Sequence, residues 1–245
     1  MTATARVRPR ALVTGASRGL GLALAGLLSE LGYDLVLTAR GATALERAAA
    51  GLRGDGAVHA LAGDVTDAGH RARLSERVGE HLDLLVHNAS SLGPSPLPAL
   101  ADVDLAAVRS VLETNVVAPL ALTQALLPAL ERAGGTVVAV SSDAAHGGYP
   151  GWGVYGASKA ALELMARTLA AELEGVCVVR VDPGDMATVM HQQAFPGQDI
   201  NDRPAPEATL PFWAWLLAQR SEDLDGRRFE AQADAWTLTV ETGAA

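Results

Sequence analysis

Short apolar runs recur along this chain, and between them lie longer stretches in which apolar residues return every third or fourth position. Ala11-Leu-Val-Thr14 is followed by a glycine turn and a periodic stretch to about Leu31. Asp34-Leu-Val-Leu-Thr38 precedes a stretch from Ala42 to Leu52, and Ala57-Val-His-Ala-Leu61 precedes one from Asp67 to Glu80. Leu82-Asp-Leu-Leu-Val86, a long stretch from about Asp104 to Arg132, and Thr136-Val-Val-Ala-Val140 come next; a helix carrying Tyr155 to about Glu174 and the run Val176 to Val181 follow. Parallel strands need a crossover of a dozen or more residues, and helices of this length supply it. The alternation therefore predicts an α/β protein: a doubly wound parallel β-sheet flanked by helices on both faces.

At 245 residues, one domain over 1–245 accounts for the whole pattern. No repeat or linker interrupts it, and Ser90-Ser-Leu-Gly-Pro-Ser-Pro-Leu-Pro98 is too short to divide domains. The basic opening over 1–9 reads as a flexible, solvated leader, because the apolar run after it enters a glycine turn and lacks a signal peptide's shape. A net charge of −9 argues against a nucleic-acid partner. No run of eighteen apolar residues occurs, so no membrane span is expected; with a leader of that kind the expected location is cytoplasmic. The only cysteine, Cys177, falls in a strand-like run and reads as a buried core thiol. His146 and His191 lack metal-ligand spacing, so no metal site is expected.

The first turn, Thr14-Gly15-Ala-Ser17-Arg18-Gly19-Leu20-Gly21, lies between a strand and a helix. Glycines there let the backbone approach a pyrophosphate resting on the N-terminus of the helix, where unpaired N–H groups and the dipole favour an anion. An acid at the end of the second strand would hold the ribose diol of NAD; this chain has Thr38-Ala39-Arg40. Arg40, with Arg18 inside the turn, suits the extra phosphate of NADP(H), which is favoured over NAD(H). Asp64-Val65 after the third strand is placed for the adenine edge, although Asp64 could equally cap the next helix.

Eighteen of the nineteen long cations are arginine, and the one lysine is Lys159, four residues after Tyr155. On a helix that spacing puts phenol and ammonium on one face. A unit charge at about 5 Å, with an effective dielectric near 20, is worth roughly 3 kcal/mol and would lower the phenol's pKa by about 2 units. Ser142 ends the apolar run before it, where a parallel strand meets its loop. The three together read as an acid/base site.

These motifs, Thr14-Gly-x-x-x-Gly19-x-Gly21, Asn88-Ala89, Asn115, Ser142, Tyr155-x-x-x-Lys159, then Pro183-Gly184 and Thr188, resemble those of a single-domain short-chain dehydrogenase/reductase over roughly residues 10 to 190. The resemblance implies a Rossmann-like sheet and an NADP(H)-dependent oxidoreductase. Tyr155 would give its proton to a substrate carbonyl, Ser142 would hydrogen-bond that oxygen, and Lys159 would hold the nicotinamide ribose and lower the phenol's pKa. Asn115 would complete the relay through water, and Met186 would join Pro183, Gly184 and Thr188 on the cofactor. Asn115 has a local reason of its own. Its carbonyl would accept from residue 119, which is Pro119 and has no N–H, although the same proline could simply kink a long helix. The chain departs from the usual Asn-Asn-Ala-Gly with His87-Asn88-Ala89-Ser90, where Ser90 takes room from the cofactor. It departs again at the C-terminus, where Gly226 to Gln232 resembles the last strand but Ala233 to Ala245 replaces a glycine-rich finish.

Substrate choice is expected from the loops above the strand ends, with residues 185–211 as a lid. Tyr149, Trp152, Met186, Met190, His191, Phe195 and Trp213 are candidate pocket residues. The expected activity is hydride transfer between nicotinamide and the carbon of a small-molecule carbonyl or alcohol. The alternatives are an epimerase or dehydratase on the same fold and an NADPH-binding regulator without turnover. The resemblance also implies a homodimer or homotetramer.

Overall fold

The computed structural model describes residues 8–238. Its strands are β1 Arg10–Thr14, β2 Asp34–Ala39, β3 Val58–Ala62, β4 Leu84–His87, β5 Thr136–Val140, β6 Cys177–Asp182 and β7 Arg228–Glu230. They form one sheet in the order β3-β2-β1-β4-β5-β6-β7, every neighbouring pair parallel. The order reverses between β1 and β4, so the strand tips open into a crevice there.

The crossovers are α1 Gly19–Glu30, α2 Ala42–Ala50, α3 Ala68–Val78, α4 Leu105–Leu112 with α5 Ala118–Ala133, and α6 Gly153–Glu172. After β6 come α7 Val189–Ala194, α8 Leu210–Leu217 and α9 Ser221–Leu224. Local chemistry sets several ends. Asp67 caps α3 by accepting from the His70 N–H at 2.6 Å, and α5 stops at Gly134, whose φ of 60° is left-handed.

Alternate residues of each strand feed opposite faces. Ala11, Val13, Leu35, Leu37 and Val179 pack with Leu24 and Leu28 of α1 and Phe212 and Trp213 of α8. Leu12, Val36, Leu85 and Val178 pack with Leu74 of α3, Leu122 and Leu126 of α5 and Leu162 of α6. Cys177 is buried as expected, and that burial pushes its thiol up to about 12.

The long stretch from Asp104 is not one regular helix. Residues Glu113–Val117 form a wide π turn between α4 and α5, at the place where Pro119 deprives Asn115 of its usual donor. Taken as a whole, Leu105–Ala133 is long and apolar enough to cross a membrane by length and composition alone. Leu122, Leu126 and Leu130 of this stretch pack in the protein's own core, while Leu105 and Val117 are exposed. The leader expected over 1–9 falls on residues outside those described, apart from its end, where the Pro9 carbonyl accepts from the Asp34 N–H at 2.8 Å. The C-terminal segment is described as far as Leu238, and in it Trp236 packs on Phe212 and Trp215.

Candidate active site

At the tip of β1 the chain turns tightly. Gly15 has a φ of +67°, and a Cβ there would stand 2.8 Å from Asn88 Nδ2; a Cβ on Gly21 would stand 2.4 Å from the Gly15 carbonyl oxygen. No larger residue fits either position without moving backbone. Asn88 fastens this turn to β4: its Nδ2 donates to the Thr14 carbonyl at 2.9 Å, and its N–H and that of Ala89 donate to Thr14 Oγ1 at 3.0 and 2.9 Å. Arg18, extended, precedes α1 without a side-chain cap, and the first turn of α1 holds no acid. The leading N–H groups of α1 therefore face a crevice with no protein anion to satisfy them.

That crevice is a cleft of about 1280 Å³ running from the glycine turn to the loops after β5 and β6. Gly15, Ser17, Arg18, Gly19, Leu20, Arg40, Asp64, Val65, Asn88, Ala89, Ser142, Tyr155, Lys159, Pro183, Gly184, Met186 and Thr188 all line it. Gly21 and Asn115 do not. Gly21 sits behind the turn, where its lack of a side chain lets α1 close on Gly15. Asp64 is no helix cap; Asp67 has that place, and Asp64 Oδ1 accepts instead from the Thr66 N–H and hydroxyl. Burial pushes the Asp64 carboxyl up, but the Thr66 hydrogen bonds and the Arg40 charge outweigh it and hold it below its ordinary value. Ser90 lines the cleft too, and its hydroxyl donates to Asn115 Oδ1 at 3.2 Å.

At the other end, Tyr155 and Lys159 share one face of α6, and the Lys159 Nζ stands 5.5 Å from the centre of the Tyr155 ring. The ammonium donates to the Val140 carbonyl at 2.7 Å. Burial lowers its pKa to about 8, with Asp182 and Glu163 pulling the other way. The phenol does not follow the expectation that Lys159 lowers its pKa. Burial raises the Tyr155 pKa well above its ordinary value, because a phenolate enclosed there would lose its hydration. Hydrogen bonding to Ser142 and Ser90 pulls it back in part. Ser142 also donates to Asp143 Oδ1 at 3.0 Å. Asn115 is fully enclosed: Nδ2 donates to the Ser91 carbonyl and to Ser158 Oγ, both at 2.9 Å, and Oδ1 accepts from the Ser91 N–H at 2.8 Å.

Two features escaped the sequence reading. Ser90 touches both Asn115 and the phenol, and its only signal was a serine standing where a glycine is usual. Glu163, one turn after Lys159, accepts from Ser141 Oγ at 2.5 Å and pairs with Arg228 at 3.0 Å, His146 at 3.1 Å and Arg180 at 3.5 Å. Arg228 also pairs with Asp182 at 2.9 Å, so a charged knot lies directly under the tips of β5 and β6. Of the candidate pocket residues, Tyr149, Trp152, Met186, Met190, His191 and Phe195 line the cleft. Trp213 does not; it is buried against α1 and donates to Thr209 Oγ1 at 3.2 Å. Among the described residues no group of His, Cys, Asp and Glu is arranged to hold a metal ion.

The short chain dehydrogenase family model matches residues 9–199. The uncharacterized oxidoreductase YciK of Escherichia coli K12 is 31% identical over 230 residues, 90% of each chain. Serine 3-dehydrogenase of Agrobacterium fabrum is 38% identical over 179 residues, 71% of this chain and 70% of that protein. A short chain dehydrogenase from Shigella flexneri, solved in complex with NADP, superposes with a TM-score of 0.83 at 31% identity, covering 92% of this chain and 97% of the other. With the sheet order, the glycine turn and the tyrosine–lysine pair over one cleft, these likenesses establish that the chain belongs to the short-chain dehydrogenase family of oxidoreductases.

Proposed function

We propose that this protein is an NADP(H)-dependent carbonyl reductase or alcohol dehydrogenase in which Tyr155 moves the proton. The observation that carries the reading is the placement of Tyr155, Ser142 and Lys159 at one end of a single cleft whose other end holds the glycine turn, Arg18 and Arg40. The glycine cradle, which a Cβ would fill, and the uncapped start of α1 suit a dinucleotide pyrophosphate. Arg18 and Arg40, with no acid at the tip of β2, suit the 2′-phosphate, and the NADP complex of the Shigella flexneri relative supports the same choice.

A nicotinamide held there would supply or accept the hydride at carbon. In the reductive direction Tyr155 gives its hydroxyl proton to the carbonyl oxygen, so that a C=O becomes CH–OH. Ser142 donates to the same oxygen once it turns from Asp143, and holds it within reach of the phenol. Burial favours the protonated phenol, which is the form a proton donor needs. Lys159 would bind the ribose and offset the charge left on Tyr155. The Asn115 carbonyl, without its usual donor because residue 119 is proline, is available to a water that returns the proton. The exposed Leu105, Val117 and Leu164 on α4, the π turn and α6 suit pairing with a second copy.

NADPH oxidation with a panel of ketones and aldehydes tests the reading. Tyr155→Phe should lower kcat by about 10² to 10⁴ while NADPH affinity stays nearly unchanged. Tight NADPH binding without turnover of any carbonyl would overturn it. Arg40→Asp should lower kcat/KM for NADPH about ten- to a hundredfold relative to NADH, the loss of one charge-assisted contact. An unchanged ratio would remove Arg40 from the 2′-phosphate.

A further inference from the structure

Granted the reductase reading, the half of the cleft beyond the Tyr155 phenol still selects among carbonyl compounds. Its walls are aromatic and apolar. Trp152 meets the Tyr155 ring edge-on with centroids 5.6 Å apart and lies 6.0 Å from Phe195. Leu92 and Met190 pack with Tyr155 in the same cluster.

The exposed charged side chains beside the phenol are acidic. Asp143, beside Ser142, and Asp185, at the start of the lid, are exposed and line the cleft. Asp182, below them, is matched by Arg228. The cleft-lining arginines, Arg18 and Arg40, stand at the opposite end, and the Lys159 ammonium is turned onto the Val140 carbonyl. Arg203, 5.9 Å from the Phe195 ring, lies outside the lining and is held by Asp202. His191, the imidazole on this half of the lining, stands 3.7 Å from Asp185. The same sign of field reaches the reacting oxygen, where Asp182 and Asp143 both disfavour negative charge on the phenol.

We propose that the substrate is an uncharged or cationic ketone or aldehyde bearing an aromatic or branched apolar group, and that carbonyl compounds bearing a carboxylate, sulfonate or phosphate are excluded. The aromatic walls bury the apolar group beside the phenol, while Asp143 and Asp185 repel an anion that would have to lose its hydration to enter.

Acetophenone and its para-carboxylate and para-trimethylammonium derivatives share one reacting carbon and differ in charge, so their kcat/KM values with NADPH test the proposal. The carboxylate should be about a hundredfold poorer than the parent, about tenfold for each acid, and the cation within about tenfold of it. Asp143→Asn with Asp185→Asn should recover about tenfold or more of the carboxylate-to-parent ratio, a comparison that cancels any general loss of rate. Equal kcat/KM for carboxylate and parent would overturn the exclusion and leave the reductase reading intact. An unmoved ratio in the double variant would overturn the assignment to these two acids. If none of the three is reduced, titration calorimetry on the NADPH-loaded protein separates the claims. Binding of parent and cation but not carboxylate would keep the selectivity and sink the reductase reading; binding of none would overturn the substrate class.

Discussion

Lys159 lends itself to a measurement that isolates one proton. The residue is 2% exposed, and burial brings its pKa from an ordinary 10.5 to about 8. Between those values the unfolded chain keeps a proton that the folded chain has released, so stability should rise with pH across that window. Below pH 8 the full cost applies, about 3 kcal/mol for a gap of roughly 2.5 pH units. Between pH 7 and pH 10 the cost shrinks to below about 1 kcal/mol, so this group alone should stabilise the cofactor-free protein by about 2 to 3 kcal/mol over that interval. Methionine has a similar length and no proton. Urea unfolding of wild type and Lys159→Met at both pH values, with m unchanged, gives the difference of differences from which other titrations cancel. Wild type should gain about 2 to 3 kcal/mol relative to Lys159→Met as the pH rises. Parallel pH dependence in the two proteins would refute the claim that the fold holds this ammonium against its own desolvation.

Other expectations follow from the same geometry. Gly21→Ala places a methyl 2.4 Å from the Gly15 carbonyl oxygen, and should cost about 1 to 3 kcal/mol of stability and weaken NADPH binding together, read by unfolding and by titration. Glu163→Gln leaves Arg228 and Arg180 short of a buried partner and should destabilise by about 3 to 5 kcal/mol; a change under about 0.5 kcal/mol would make the knot an ordinary surface cluster. Although burial raises the Glu163 pKa, hydrogen bonds from Ser141 and Arg228 bring it below its ordinary value. Its stabilisation is therefore present above the unfolded carboxyl's pKa and fades as the pH falls through the folded one, so wild type should lose more stability on acidification than Glu163→Gln. Ser90→Gly removes a hydroxyl that lowers the phenol's pKa, so the alkaline fall of the reductive rate should move to higher pH; no movement would separate Ser90 from Tyr155.

What could be read in advance was local. The strand β5 has the bounds that its apolar run suggests, and four-residue spacing put Tyr155 and Lys159 on one face of α6. What could not be read depended on residues far apart in the chain. Glu163 and Arg228 are 65 positions apart and meet only because β7 lies beside β6. The direction of the Tyr155 pKa was misjudged for a related reason: the attraction of a neighbouring ammonium can be worked out from spacing, but the loss of hydration depends on everything that encloses the ring. Pro119 announced a disturbance in the long helix, whereas the sequence had no means of saying that it would take the form of a π turn. Trp213 was placed with the pocket because aromatic residues serve cleft and core alike, and only packing against α1 separates them.

The Asn88 clasp on the first turn also bears on how fast a nucleotide could be captured. Three hydrogen bonds from the Asn88 side chain and the neighbouring backbone hold the loop in shape without help from any visitor. Most of the ordering that many phosphate loops undergo on contact has thus been done during folding, and encounter needs little rearrangement. Loosening that clasp should slow association before it alters any contact in the finished complex.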